Sequence, residues 1–70
     1  MDRIERKSTI DRIYTALVEQ GYRPDDQIIG FILTGDPTYI TNHNGARSLI
    51  GNVDRHDLLC DMISSYLSAE

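Results

Sequence analysis

The chain has 70 residues, with seven Lys and Arg against eleven Asp and Glu, a formal net charge of −4 and one cysteine. The acidic balance disfavours nucleic-acid binding, which needs several basic side chains against phosphates, and the single cysteine excludes an intrachain disulfide and fits a cytoplasmic protein. A domain this short buries only about 60% of the surface that its unfolded chain exposes, so a second copy of the chain is the favoured extra support.

The first predicted helix covers residues 8–20. Its apolar residues recur at helical spacing and lie on one face: Ile10, Ile13, Tyr14, Leu17 and Val18. Ser8 is predicted as the N-cap, with Asp11 three residues later, and Gly21 supplies the left-handed residue that ends the helix. Residues 1–7 are then expected to precede the helix as a flexible segment.

The second predicted helix covers residues 24–34. Pro24 suits a first helical position, and the two acids after it favour the positive end of the helix dipole. The run IIGFIL is typical of a buried helix or a buried strand, and the Pro-Asp-Asp start with Gly35 past the end favours the helix. Gly30 costs about 1 kcal/mol relative to alanine, which indicates close approach of another backbone.

The last predicted helix covers residues 55–68, with Asp54 as its N-cap. It has a wide apolar stripe: Leu58, Leu59, Met62, Ile63, Tyr66 and Leu67. Tyr14 and Tyr66 are predicted as core or interface residues. Residues 1–12 hold four basic residues against three acids, whereas residues 54–70 hold one basic residue against four acids.

The segment before that helix, ARSLIGNV, predicts one or two further helical turns. Asn42 or Asn44 is expected to cap them, and Gly51 with Asn52 to end them. The fold class is therefore predicted as all-α: one domain over residues 1–70, built as a compact bundle of three main helices plus one or two short helical turns.

The stretch TGDPTYITNHNGAR, residues 34–47, is the candidate binding site. An aromatic ring, an imidazole and a guanidinium fall within nine residues of it. The candidate ligand- or partner-binding residues are Asp36, Tyr39, His43, Asn44 and Arg47. Arg47, near the start of a helical turn, suits a phosphate or a carboxylate. The alternative is a connector whose Asn and Asp side chains satisfy its own backbone.

The spacing of the other polar residues favours no catalytic or metal site. His56 and Cys60 are four residues apart, which suits two metal ligands on a helix, but a structural zinc site needs four ligands. We therefore expect a solvent-facing imidazole and a thiol at the edge of the core. Asp54, Asp57 and Asp61 are expected to form a solvated polar face. No metal and no cofactor is predicted.

Two motifs resemble those of the IreB family of small regulatory phosphoproteins. The first is YxALxExGYxPxxQIxGxxLxGDPxYI, from Tyr14 to Ile40, and the second is HNxAR, from His43 to Arg47. The resemblance extends over about residues 10–68. It implies a compact, mainly helical homodimer without enzymatic activity, linked to signalling through a bacterial Ser/Thr kinase and its phosphatase.

Two departures from the family pattern limit what the resemblance implies. Family members carry a longer N-terminal segment with the phosphorylated threonines, so those phosphosites have no counterpart here. The family's YIPRH and its later basic run are replaced by Thr41 and Asn42 and by Gly51 and Asn52, which thins any basic recognition surface. Ser8 and Thr9, preceded by Arg6 and Lys7, are the candidate phosphorylation sites of this chain.

The predicted function is a non-enzymatic regulator that acts by protein–protein binding in a bacterial Ser/Thr kinase and phosphatase pathway. Its predicted partners are a second copy of itself, bound through the second and last helices, a kinase, a phosphatase and a further protein target. No membrane segment or secretory signal is recognisable, so a cytoplasmic location is predicted. The alternative is a small phosphate- or nucleotide-binding enzyme or module that uses the loop from Gly35 to Arg47.

Overall fold

The computed structural model describes residues 1–68, and every regular element in that range is helical. Its four α-helices are α1 (Arg3–Glu19), α2 (Pro24–Thr34), α3 (Ala46–Ile50) and α4 (Arg55–Ser68). Single 3₁₀ turns at Pro37–Tyr39 and His43–Gly45 lie between α2 and α3. The predicted all-α fold, with three main helices and short helical turns, is confirmed.

The start of α1 lies upstream of its predicted position. Asp2 is the N-cap, and its Oδ1 accepts the backbone N–H of Glu5 at 2.8 Å. Asp2 and Glu5 have the three-residue spacing of a capping box, which outcompetes the weaker Ser8 and Asp11 pair. The predicted start at residue 8 and the capping role of Ser8 are therefore wrong, and residues 3–7 belong to the helix.

The end of α1 and both ends of α2 follow the sequence. Gly21 has φ +76°, and the N–H of Tyr22 donates to the carbonyl of Leu17 at 3.1 Å, as in a Schellman motif. Pro24 opens α2, and Gly35 ends it with φ +74°. The predicted bounds of α2 are confirmed.

Gly30 of α2 faces a side chain, where the sequence indicated a neighbouring backbone. A methyl group at Gly30 would lie 2.5 Å from Cδ1 of Tyr39. The ring of Tyr39 therefore packs directly on the helix backbone. The glycine is needed because the 3₁₀ turn places this ring against α2.

The hydrophobic core lies among α1, α2, α3 and the residues around them. Ten apolar residues are buried: Ile13, Ala16, Leu17, Ile28, Phe31, Ile40, Ala46, Ile50, Val53 and Leu58. Ile10, Ile32 and Leu49 pack against this cluster while partly buried. No buried side-chain N or O atom within residues 1–68 lacks a hydrogen-bond partner, so the polar groups add no desolvation penalty to a small core.

The bounds of α4 are as predicted, and most of its apolar stripe lies outside the core. Asp54 Oδ1 accepts the N–H of Asp57 at 3.0 Å, which confirms the cap. Leu58 is the one buried residue of the helix. Polar contacts attach α4 to the rest of the chain: Arg6 binds Asp61, and Nη1 of Arg55 donates to the carbonyl of Ile32 at 3.0 Å. Most of the apolar stripe of α4 thus faces outwards.

The short helix α3 starts without the predicted asparagine cap. Its N-cap is Gly45, with φ +72°. A glycine at this position lets the chain reverse sharply between the 3₁₀ turn and α3. Asn42 occupies the N-cap position of the 3₁₀ turn before α3, as predicted, but its side chain makes no capping hydrogen bond. Gly51 ends α3, as predicted. In the part of the chain described, no helix has both the length and the apolar content that crossing a bilayer requires.

Candidate functional site

The loop between α2 and α3 is held to the rest of the molecule by side-chain hydrogen bonds. The N–H of Thr41 donates to Oε1 of Gln27 on α2 at 3.2 Å, and Thr41 Oγ1 accepts the N–H of His43 at 3.2 Å. Ile40 is fully buried in the core between them. The loop therefore presents its exposed side chains from a fixed backbone.

The carboxylate of Asp36 forms a hydrogen bond within the loop. Its Oδ1 accepts the N–H of Thr38 at 3.0 Å and caps the first 3₁₀ turn. This hydrogen bond holds the pKa of Asp36 below its ordinary value of 3.8, and the positive charge of Arg47 acts in the same direction. The carboxylate is thus committed to turn formation.

The guanidinium of Arg47 also forms a hydrogen bond within the loop. It is the second residue of α3, and its Nε donates to the carbonyl of Ile40 at 3.0 Å. This hydrogen bond closes the loop across seven residues and fixes Ile40 in the core. The anion-binding role considered for Arg47 gains no support from this geometry, since Nε is aimed at the chain itself.

His43 and Asn44 form a polar cluster with Glu19 of α1. Glu19 Oε1 accepts Nδ2 of Asn44 at 3.1 Å and lies 3.4 Å from Nε2 of His43. Asn44 has φ +51°, the left-handed conformation that asparagine tolerates better than most residues. The cluster lies at the surface, so an imidazole and an amide are displayed beside a carboxylate.

Tyr39 precedes His43 and Asn44 in the chain, and its ring packs against α2. About half of its surface is exposed, while one ring edge contacts Gly30. An anchored, half-exposed tyrosine is a common feature of protein interfaces, because it offers apolar area and a hydroxyl at low entropic cost. Of the five candidate residues, Asp36, Tyr39 and Asn44 are exposed and His43 and Arg47 are partly exposed. Asp36 and Arg47 bond the backbone of the loop, so Tyr39, His43 and Asn44 are the displayed side chains that are not bonded to it.

The sequence reasoning did not assign Glu19 to the loop, although the structure brings it to His43 and Asn44. Its only sequence signal is that it occupies a fixed position of the first motif, two residues before Gly21. The exposed apolar surface of α2 and α4 was expected in part. The exposed apolar side chains are Ile29 and Leu33 on α2 and Leu59, Ile63, Tyr66 and Leu67 on α4, and we call these two sets together the α2/α4 apolar surface.

The remaining candidate ligands lie at the start of α4. Sγ of Cys60 is 3.8 Å from Nδ1 of His56, and both residues are exposed. The thiol was expected at the edge of the core and lies at the surface, because Leu58 fills the inward position. One ligand atom each from Asp54, His56 and Asp57 lies within 4.8 Å of the others. Asp54 already caps α4, so this cluster is explained by helix capping.

Comparison with known proteins gives matches both to a family model and to curated proteins. A family model described as IreB regulatory phosphoprotein matches residues 1–68. A protein of Lachnoclostridium phytofermentans named UPF0297 protein is 52% identical over 61 residues, which cover 87% of this chain and 69% of that protein.

Proposed function

Because the chain belongs to the IreB regulatory phosphoprotein family, we propose that it is a non-enzymatic cytoplasmic regulator that binds other proteins in a bacterial Ser/Thr kinase and phosphatase pathway. The observation that carries this proposal is the α2/α4 apolar surface. Tyr66 is 80% exposed, Leu67 71% and Leu33 76%, in a chain of only 70 residues. Exposed apolar surface of this kind marks protein–protein contact.

The first partner in this proposal is a second copy of the chain. A core of ten buried side chains is small, and domains of this size usually gain stability from an additional contact. Covering Ile63, Tyr66 and Leu67 against the same residues of another copy removes apolar area that the single chain leaves in water. The homodimer is therefore assigned to α2 and α4.

A charge placed in the α2/α4 apolar surface tests the homodimer. Ile63 is 59% exposed, so Ile63→Lys leaves the core of the single chain intact. We expect sedimentation velocity to show a dimer for the natural chain and a monomer of unchanged helicity for Ile63→Lys. Ser64→Lys adds the same charge one residue away from the stripe and should remain dimeric. A natural chain that is well folded and monomeric at low concentration would falsify the assignment.

The second contact in this proposal uses the displayed side chains of the loop from Gly35 to Arg47. Tyr39, His43 and Asn44 would meet the further protein target, while Asp36 and Arg47 hold the loop in shape. Affinity capture with His43→Ala and Tyr39→Ala, compared between cells with and without kinase activity, tests this role. We expect both variants to dimerise normally and to lose the same target. Retention of every captured protein by both variants would contradict it.

Phosphorylation at Ser8 or Thr9 is the proposed link to the kinase. Ser8 is exposed and lies in the same surface groove as Arg12, one turn further along α1. Both hydroxyls lie inside α1, so a phosphate there would gain little from the helix N-terminus, and the guanidinium of Arg12 is the group that would pair with it on Ser8. Incubation with the cognate kinase and mass spectrometry test this site: a phosphate found elsewhere, or none, removes it.

A further inference from the structure

An open groove of about 480 Å³ lies between the first turns of α1 and the middle of α4. Arg6 joins the two helices across it: Nε lies 2.6 Å from Oδ2 of Asp61 and Nη2 lies 3.0 Å from Oδ1, while Nη1 lies 3.8 Å from Oδ2 of Asp57. This two-pronged contact fixes the distance between the helices. It does not fill the space between them.

The lining of the groove is mainly apolar. Ile4 and Ile10 come from α1, and Leu58 and Met62 from α4. Ile4 is 81% exposed and Met62 38%, so the groove is open to solvent along its length. A trough of aliphatic side chains between two helices is the shape that accepts a third, amphipathic helix.

Two basic side chains, Arg3 and Lys7, lie on the α1 side of this groove. Arg3 has no ion-pair partner within residues 1–68. Lys7 pairs with Asp11 at 2.8 Å in an exposed contact that stabilises the chain little. The carboxylate of Asp61 is already bound by Arg6. In a protein of net charge −4, this rim is positive.

From these observations we infer that the groove binds an amphipathic helical segment of another protein, one that carries acidic side chains beside its apolar stripe. The inference rests on the proposed function and names the kind of partner. The groove uses Leu58 and Met62, whereas the proposed dimer contact uses Leu59 and Ile63. These pairs lie on adjacent stripes of α4, so both contacts can form at once.

Synthetic peptides probe the groove directly. The acidic peptide has leucines at i, i+3, i+4 and i+7 with glutamates on the flanks, the basic peptide has lysines in place of the glutamates, and a third has the acidic peptide's composition in scrambled order. Each is titrated into the isotope-labelled full chain while backbone amide shifts are recorded. We expect shifts centred on Ile4, Lys7 and Met62, and binding of the acidic peptide about tenfold tighter than the basic one at low salt.

Reversing the charges of Arg3 and Lys7 tests whether they select the acidic peptide. The double variant Arg3→Glu and Lys7→Glu should bind the basic peptide better than the acidic one. Arg12→Glu, the same change on α1, lies in a different groove and should leave the preference for the acidic peptide unchanged. A glutamate near the start of α1 suits the helix dipole, so the double variant is expected to fold.

Three results would overturn the inference: equal binding of the ordered and scrambled peptides, shifts confined to Leu59, Ile63 and Tyr66, or a dimer in which the groove is already covered by the second copy. Dimerisation that is sensitive to Ile63→Lys, together with no peptide binding, would remove the groove while leaving the proposed function in place. A natural chain that is monomeric but still binds the acidic peptide would remove the proposed homodimer and leave the groove in place.

Discussion

Helices α1 and α4 both carry apolar stripes, yet they bury them to different extents. On α1, Ile13 and Leu17 are fully buried under α2 and α3. On α4, Leu58 alone is buried, and the helix is attached to the rest of the chain mainly through Arg6 with Asp61 and Arg55 with Ile32. The two stripes therefore have different roles in one small molecule.

This difference teaches that amphipathic periodicity predicts which face of a helix is apolar, and not whether the rest of the chain covers that face. The apolar faces of α1, α2 and α3 pack against one another in the core. Most of the apolar face of α4 meets solvent, because this helix buries Leu58 alone and is otherwise attached through the polar contacts of Arg55 with Ile32 and of Asp61 with Arg6. The following measurements test how far the two regions differ.

The largest contrast is expected from matched leucine truncations. Leu17→Ala removes a fully buried side chain and should lower the free energy of unfolding by about 2 to 5 kcal/mol. Leu67→Ala removes one that is 71% exposed and should change it by about 0.5 kcal/mol or less. Urea unfolding at low protein concentration, where dimer contacts contribute least, measures both. Similar losses would show that α4 is part of the core after all.

A smaller contrast is expected between two arginines and extends the comparison to the loop. Arg47→Ala leaves the carbonyl of Ile40 without its donor and should lower the free energy of unfolding by about 1 to 3 kcal/mol. Arg23→Ala removes an 86% exposed side chain that pairs with Asp26 at 3.4 Å, and should have an effect of about 0.5 kcal/mol or less. Thermal unfolding followed by circular dichroism compares them. If Arg47→Ala is as stable as the natural chain, the guanidinium of Arg47 is not needed for stability and a binding role for it is favoured.

The smallest effect is expected from acid. The hydrogen bond from Arg6 holds the pKa of Asp61 below its ordinary value of 3.8, and the same contact raises the pKa of Arg6. Because the folded-state pKa is the lower one, the contribution of Asp61 to stability is present above the ordinary value and is lost as the pH falls through the lowered pKa. Acid should therefore weaken the attachment of α4 to α1.

The acid prediction is measured as the melting temperature against pH for the natural chain and for Asp61→Asn. Asp61→Asn should lower stability at neutral pH and flatten the decline below pH 3.8. Asp25→Asn, an exposed carboxylate in the first turn of α2, is the matched control and should keep the decline. Parallel curves for all three proteins would show that the ion pair does not hold α4.

Local sequence signals predicted most of the fold. The Pro-Asp-Asp start, the left-handed Gly21 and Gly35, and the Asp54 cap each act over three or four residues, so their outcomes can be read without the rest of the chain. The start of α1 was misplaced because two capping pairs compete within ten residues. Asp2 and Glu5 prevailed, since a helix that starts earlier adds a turn carrying Arg6 to its ion pair with Asp61.

The candidate site was less predictable. Its loop was located from composition, but which side chains are displayed depends on contacts between distant residues. Asp36 and Arg47 looked available for a ligand and are engaged by the loop itself, whereas Glu19 joins His43 and Asn44 from the end of α1. Gly30 was expected to face a backbone and instead faces the ring of Tyr39.

By itself, the sequence determined the helical class, most helix ends and the family, because these depend on short-range capping, periodicity and ordered motifs. Only the tertiary structure decided that α4 keeps most of its apolar stripe outside, that Arg47 closes the loop, and that a groove remains between α1 and α4. The groove and the exposure of the α4 stripe depend on how far apart α1 and α4 lie once Arg6 and Asp61 have paired. Spacing along the chain carries no information about that distance.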